Sequence, residues 1–239
     1  MIPRNEHPNP NFKRNDYIIL NGQWDFEFDL GDSGKERNMF AVDAPFSKKI
    51  NVPFCPESEL SGIGYKDFMA AVWYKRTVEI TEEQLNGKAF IVFGAVDFHA
   101  SVYVNGEFAG EHFGGYTTFR IDATKFLKAG ENTITVCAQD DTRSPLQARG
   151  KQSELVYSHD CDYTRTTGIW QTVYMEFCPE SYIKSVKYFP NITDGTLTIH
   201  AELVGNGTFS AKAFWDGKEV GEASTEALGQ TATLTLGGW

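Results

Sequence analysis

Residues 22–30 read GQWDFEFDL, and the reading of this short run decides the fold class. Trp24, Phe26, Phe28 and Leu30 alternate with Gln23, Asp25, Glu27 and Asp29. Successive side chains of a β-strand point to opposite faces, so the alternation predicts a strand with one apolar face turned to a core. Working outward, the same texture recurs in AAVWYKRTVEI (70–80), KAFIVFGA (88–95), HASVYVN (99–105), TTFRID (117–122), NTITVCAQ (132–139) and IWQTVYMEF (169–177). Asn105-Gly106 and Asp216-Gly217 mark tight hairpin turns, because both positions of such a turn need positive φ. Helical periodicity is confined to short turns near 82–85 and 123–127. Many short strands with turns at this spacing predict an all-β protein whose first 180 residues form a jelly-roll β-sandwich. Its buried positions should include Trp24, Phe26, Ile91, Val104, Val136 and Val173.

Near Cys178-Pro179-Glu180 the pattern breaks, and a second unit is expected over residues 181–239. Leu197, Ile199, Ala201 and Leu203 there face one way, and Thr196, Thr198, His200 and Glu202 the other. The strands suggest an immunoglobulin-like sandwich. Such a domain takes about 100 residues and seven strands, so an incomplete domain is expected, with an exposed edge open to a homo-oligomer contact.

Charge narrows the partners. A formal charge of −10 and a pI near 5.0 disfavour nucleic acid and acidic membrane surfaces. No apolar stretch approaches the roughly 20 residues that span a bilayer. The start of the chain, MIPRNEHPNPNFKRNDY, lacks the apolar centre of a signal peptide, which predicts a cytoplasmic protein. Cys55, Cys137, Cys161 and Cys178 form no CxxC pair or zinc spacing and are read as reduced structural thiols.

The chemistry-bearing motifs are sparse. Gly31-Asp32-Ser33-Gly34 echoes a serine nucleophile, but only His7 precedes it, so a polar turn is expected. The five histidines are scattered, with no set for a metal-binding jelly roll. His159-Asp160-Cys161 could ligate a metal only by accident of folding. Asp140-Asp141 and the pair Asp160 and Asp162 are expected in solvated acidic turns, with nothing to place them the roughly 5–9.5 Å apart that glycoside chemistry needs.

The order of these segments nevertheless resembles the N-terminal part of family 2 glycoside hydrolases, the β-galactosidase and β-glucuronidase group. The resemblance rests on LNGQWDFEFD (20–29), INVPFCPESELSGIG (50–64), VWYKRTVEI (72–80), FGAVDFHASVYVNGEFAGEHFGGYTTFRIDAT (93–124), GKQS (150–153) and HDCDYTRTTGIWQTVYMEF (159–177). It implies a galactose-binding-like jelly roll, an immunoglobulin-like domain and then a (β/α)8 barrel that carries two catalytic glutamates, so none of the present residues is expected to be catalytic. In the family, an aspartate six residues before the glycine of the [AST]GI[FWH] motif binds hydroxyls of the terminal sugar. That position is Asp162, counted back from Gly168. A carboxylate suits the task because charged hydrogen bonds are the strong ones. In β-galactosidases the same group helps to hold a monovalent cation, which the resemblance extends to the full-length enzyme; no other metal or cofactor is implied. Galactosidases carry Trp where this chain has Thr164, while Arg165 keeps the following basic position and is the second expected substrate contact. Two other readings remain: a stand-alone carbohydrate-binding module using Trp73, Tyr74 and Tyr116 as a stacking platform, and a structural interaction module.

Overall fold

A computed structural model describes residues 2–227 and 229–237, and the chain divides into two compact units. The first comprises the residues up to Pro8 and Arg14–Phe177. It contains β1 (Tyr17–Ile19), β2 (Gly22–Asp29), β3 (Lys48–Val52), β4 (Ala71–Ile80), β5 (Lys88–Phe93), β6 (Val96–Asp97), β7 (His99–Val104), β8 (Glu107–Phe113), β9 (Phe119–Asp122), β10 (Gly130–Gln139), β11 (Gly168–Ile169) and β12 (Val173–Cys178). Six strands form one sheet in the order β3-β2-β4-β10-β7-β8, and four form another in the order β1-β12-β5-β9. The protein is all-β, and this unit is a sandwich.

The alternation in β2 works as expected up to Asp29. Trp24 and Phe26 are buried and Phe28 is half-buried, whereas Leu30 lies exposed beyond the strand. The strand stops because the Asp29 carboxylate turns the chain. It accepts hydrogen bonds from the Ser33 and Gly34 amides at 3.0 and 2.7 Å, from the Trp73 indole at 3.1 Å and from Arg37 at 2.9 Å. Gly31-Asp32-Ser33-Gly34 is therefore a turn wound around a buried carboxylate.

Between the sheets, Trp24, Phe26, Tyr74, Ile91, Val104, Val136 and Val173 pack in one apolar cluster. Burying a side chain of this size contributes roughly 1.5–3 kcal/mol. Tyr74 meets Trp24 and Phe26 edge-on, with ring centroids 6.5 and 5.3 Å apart. Trp73 and Tyr74 are both fully buried, which removes them from any sugar-stacking platform. Trp73 belongs to a smaller cluster on the outer face of the six-stranded sheet, with Met39, Ala71, Tyr103 and Cys137. The excursion between β2 and β3 covers that face. Lys75 ties it down by donating to the carbonyls of Ala41, Val42 and Ala44 at 2.8, 3.2 and 2.7 Å.

Asn105 and Gly106 join β7 to β8 with φ of 52° and 83°, the left-handed pair their sequence predicts. The two helical turns appear as single 3-10 turns, Glu83–Leu85 and Thr124–Phe126.

The second unit comprises Asn9–Lys13 and the chain from Cys178 onward. It holds β13 (Tyr182–Asn191), β14 (Thr196–Val204), β15 (Gly207–Trp215), β16 (Lys218–Ala227) and β17 (Thr231–Gly237). The sheets run β13-β14-β17 and β15-β16, with Asp216 and Gly217 in the β15–β16 turn at φ of 46° and 74°. Ile199, Ala201 and Leu203 are buried with Phe209, Leu234 and Leu236, and Leu197 packs at the edge of that cluster. The short segment Asn9–Lys13 enters this unit far from it in sequence, a join that nothing in residues 9–13 announces.

Candidate functional site

Beyond β10 the chain leaves the sheet for residues 140–167 and returns as β11. Backbone pairing braces this long loop. The Tyr163 amide donates to Lys151 O and the Ser153 amide to Tyr163 O, each at 2.8 Å. At the tip, His159 and Asp162 exchange both backbone hydrogen bonds, at 3.0 and 2.8 Å. Asp160 makes this turn possible with φ of 46°, a conformation that aspartate tolerates better than most residues.

Asp162 is half-buried rather than fully exposed. The pairing that fixes it is entirely main-chain, and no side-chain hydrogen bond or ion pair to its carboxylate is found among the described residues. Oxygen and nitrogen atoms of Glu154, His159 and Asp162 lie within 4.8 Å of one another. Arg149 already engages Glu154 at 2.9 Å, and His159 Nε2 is buried without a hydrogen-bond partner, 3.7 Å from the Glu154 carboxylate. Tyr157 and Tyr163 are 65% and 60% exposed, so two aromatic faces stand free on the same loop as Asp162. Cys161 is also exposed, unlike the other three thiols.

Arg165 points the other way. It is 3% exposed, and its guanidinium donates to the carbonyls of Ser153, Leu155 and Lys66 while lying 4.2 Å from the Phe68 ring centroid. A planar fork of fixed donors suits this bracing of three backbone acceptors. The expected sugar-facing arginine is turned inward and cross-links the loop.

Beneath the loop sits a polar layer that sequence reasoning missed. Glu57, Asp97 and Asp140 are all buried. Glu57 accepts from the Thr167 amide at 3.1 and 3.2 Å, and Asp140 accepts from the Thr167 hydroxyl at 3.0 Å and from Gln147 at 2.5 Å. Burial pushes the Glu57 carboxyl up to about 7, against the pull of its Thr167 bonds. Burial, reinforced by the negative charge of Asp140, pushes Asp97 up to about 7 as well. Asp140 is likewise raised by burial, so it is no solvated acidic turn; only its neighbour Asp141 is exposed. One signal was available for Asp97, a carboxylate set in the apolar run FGAVDFHA, whereas Glu57 sits among turn residues and gives none.

Gly168 closes the layer. Its φ is +74°, and a Cβ there would come closer than 3.0 Å to the Tyr74 hydroxyl. The same hydroxyl accepts the Ile169 amide at 3.2 Å. The glycine of the Thr-Gly-Ile motif is thus demanded twice, by conformation and by the approach of a core tyrosine.

With the braced loop in view, the comparison with known proteins is specific. Residues 18–179 match the sugar-binding domain of the family 2 glycosyl hydrolases. The chain belongs to that family. A β-galactosidase from Thermoanaerobacter pseudethanolicus is 31% identical over 201 residues, covering 83% of this chain and 24% of that protein. A β-glucuronidase from Streptococcus agalactiae is 22% identical over 194 residues, covering 76% of this chain and 31% of that protein. The chain thus spans less than a third of the length of these relatives. Among solved structures, a β-glucuronidase from an uncultured Clostridium superposes with a TM-score of 0.73 at 21% identity, over 95% of this chain and 40% of that one. A Ruminococcus gnavus β-glucuronidase gives 0.72 at 22% identity, over 95% and 39%. The all-β sandwich is that of the family's sugar-binding domain.

Proposed function

We propose that this chain supplies the sugar-contacting rim of a retaining glycosidase acting on β-galactosides or β-glucuronides, with Asp162 accepting hydroxyls of the terminal sugar. One observation carries the reading: the tip of the loop is fixed by main-chain pairing while the Asp162 carboxylate is left without a side-chain hydrogen bond among the described residues. The bond-breaking carboxylates belong in this reading to a catalytic barrel outside these 239 residues. Relatives named β-galactosidase and β-glucuronidase support the substrate class without choosing between its members. Arg165 serves the site indirectly, by holding the loop that carries Asp162.

A monovalent cation is a hard ion that takes oxygen ligands. Asp162 and Glu154 offer carboxylate oxygens close together and fit such an ion, which would offset the charge of Asp162 while Arg149 meets Glu154; His159 offers nitrogen and does not.

The deciding experiment is Asp162→Asn in the longer enzyme. Removing a charged hydrogen-bond acceptor made to substrate should lower kcat/KM by about 30- to 800-fold, or roughly 2–4 kcal/mol of transition-state stabilisation. Unchanged kcat/KM would exclude Asp162 as a sugar ligand.

The exposed Tyr157 and Tyr163 favour a second reading, a carbohydrate-binding module in its own right. Millimolar affinity requires roughly 4.1 kcal/mol, whereas one charged hydrogen bond supplies about 1.5–3 kcal/mol. Calorimetry giving a dissociation constant below a millimolar for a monosaccharide would therefore select that module.

A further inference from the structure

We propose that Gln152 is a positioning residue, a three-way junction that sets the loop carrying Asp162; the inference rests on the reading of Asp162 as the sugar contact. Gln152 is buried, and its carboxamide spends every one of its strong hydrogen-bonding groups. One Nε2 hydrogen goes to Asp97 Oδ2 at 2.7 Å, and the other to the Tyr116 hydroxyl at 3.2 Å. That hydroxyl in turn donates to Arg149 O at 2.7 Å. The Oε1 of Gln152 accepts the Thr166 amide at 2.7 Å. Its neighbours Lys151 and Ser153 bond the backbone of Tyr163 on either side of it, so the stretch centred on Gln152 holds both the start and the end of the segment that follows Asp162.

The anchor for this junction is Asp97 on β6, itself paired with β11 through Gly168. Asp97 is fully buried, and Oδ1 has no hydrogen-bond partner among the described residues. Gly115 packs against that carboxylate so closely that a Cβ would collide with it. The acids that act on the junction are Asp97, Asp140, Glu57 and Tyr116. The cation of the neighbourhood, Arg165, acts on Asp140 and gives its donors to the carbonyls of Ser153, Leu155 and Lys66, so a second carboxylate placed at position 152 would face the Asp97 carboxylate without a donor between them. An amide fits this place where an acid of the same shape does not.

The test is residue-resolved hydrogen exchange on this chain, expressed as protection factors, for Gln152→Leu and Gln152→Glu. In Gln152→Leu the protection of the Tyr163 and Thr166 amides should fall at least tenfold, while Val136 and Ala138 in β10 stay as in the parent chain. In Gln152→Glu the fall should appear at pH 8 and be largely recovered at pH 5, where the acid pair at positions 97 and 152 can share a proton. A residue that merely fills space would accept leucine of similar volume and keep both amides protected. Unchanged protection at Tyr163 and Thr166 in both variants overturns the proposal. So does a loss spread evenly over β4 and β10, which would make Gln152 a general stability residue. No sugar enters this measurement, so a failed Asp162 assignment leaves its outcome intact, and Asp162→Asn should keep full protection.

Discussion

The Tyr74 hydroxyl lies in hydrogen-bond range of the Ile169 amide, 3.2 Å away, and occupies the space that a side chain on the preceding residue would need. A core tyrosine on β4 therefore dictates a glycine at the foot of the loop that carries Asp162. Gly168→Ala should destabilise the first unit by about 2–4 kcal/mol, combining a left-handed backbone penalty with overpacking. Urea unfolding measures the loss. Tyr74→Phe in the same chain should restore part of it, because the colliding oxygen is gone, and the two substitutions should be clearly non-additive.

Arg165 distinguishes bracing from substrate contact. Arg165→Lys keeps the charge but loses the fork that reaches the carbonyls of Ser153, Leu155 and Lys66. A loss of about 2–3 kcal/mol in chemical unfolding is expected, as buried carbonyls lose charged donors. An arginine used only to meet sugar would leave stability unchanged.

Asp162 should behave in the opposite way. With no side-chain hydrogen bond to its carboxylate among the described residues, Asp162→Asn should shift unfolding by less than about 0.5 kcal/mol in this chain. A larger loss would mean that the carboxylate supports its own turn.

The buried acids give stability a definite pH dependence. Glu57 and Asp97 are raised from ordinary values of 4.5 and 3.8 to about 7. Their folded forms bind protons more tightly than their unfolded forms, so their contribution is fully present below about pH 4 and is lost as pH rises through 7. Asp29 has the opposite sign. Burial raises it, but the bonds from Trp73, Ser33, Gly34 and Arg37 outweigh that and leave it lowered, so its contribution fades in acid. Stability should peak in mildly acid solution and fall on the order of 5 kcal/mol between pH 5 and 8. Urea midpoints across that range check this, and Glu57→Gln with Asp97→Asn should flatten the alkaline side.

The sandwich was legible because its signals are local. Trp24 and Phe26 declare a face by alternation, and Asn105-Gly106 declares a turn by the φ values that only a few residues tolerate. The role proposed for Asp162 comes only from its distance from Gly168, a family relationship rather than a physical one. Trp73, Asp140 and Arg165 were misread for one shared reason. Each is polar or large and sits at a position that local pattern assigns to solvent, and each is covered by chain distant in sequence. Trp73 lies beneath Met39, and Arg165 reaches Lys66. No local pattern contains its own cover.

That cover has a practical consequence at Lys75. The ammonium group is buried, bound to three carbonyls and set 4.5 Å from the centroid of the Phe46 ring. An amine-directed reagent would label the exposed lysines of the folded chain and pass this one by. Lys75 would take the label only when the excursion between β2 and β3 lifts away, so its chemistry is a built-in gauge of how often the outer face of the sheet is laid bare.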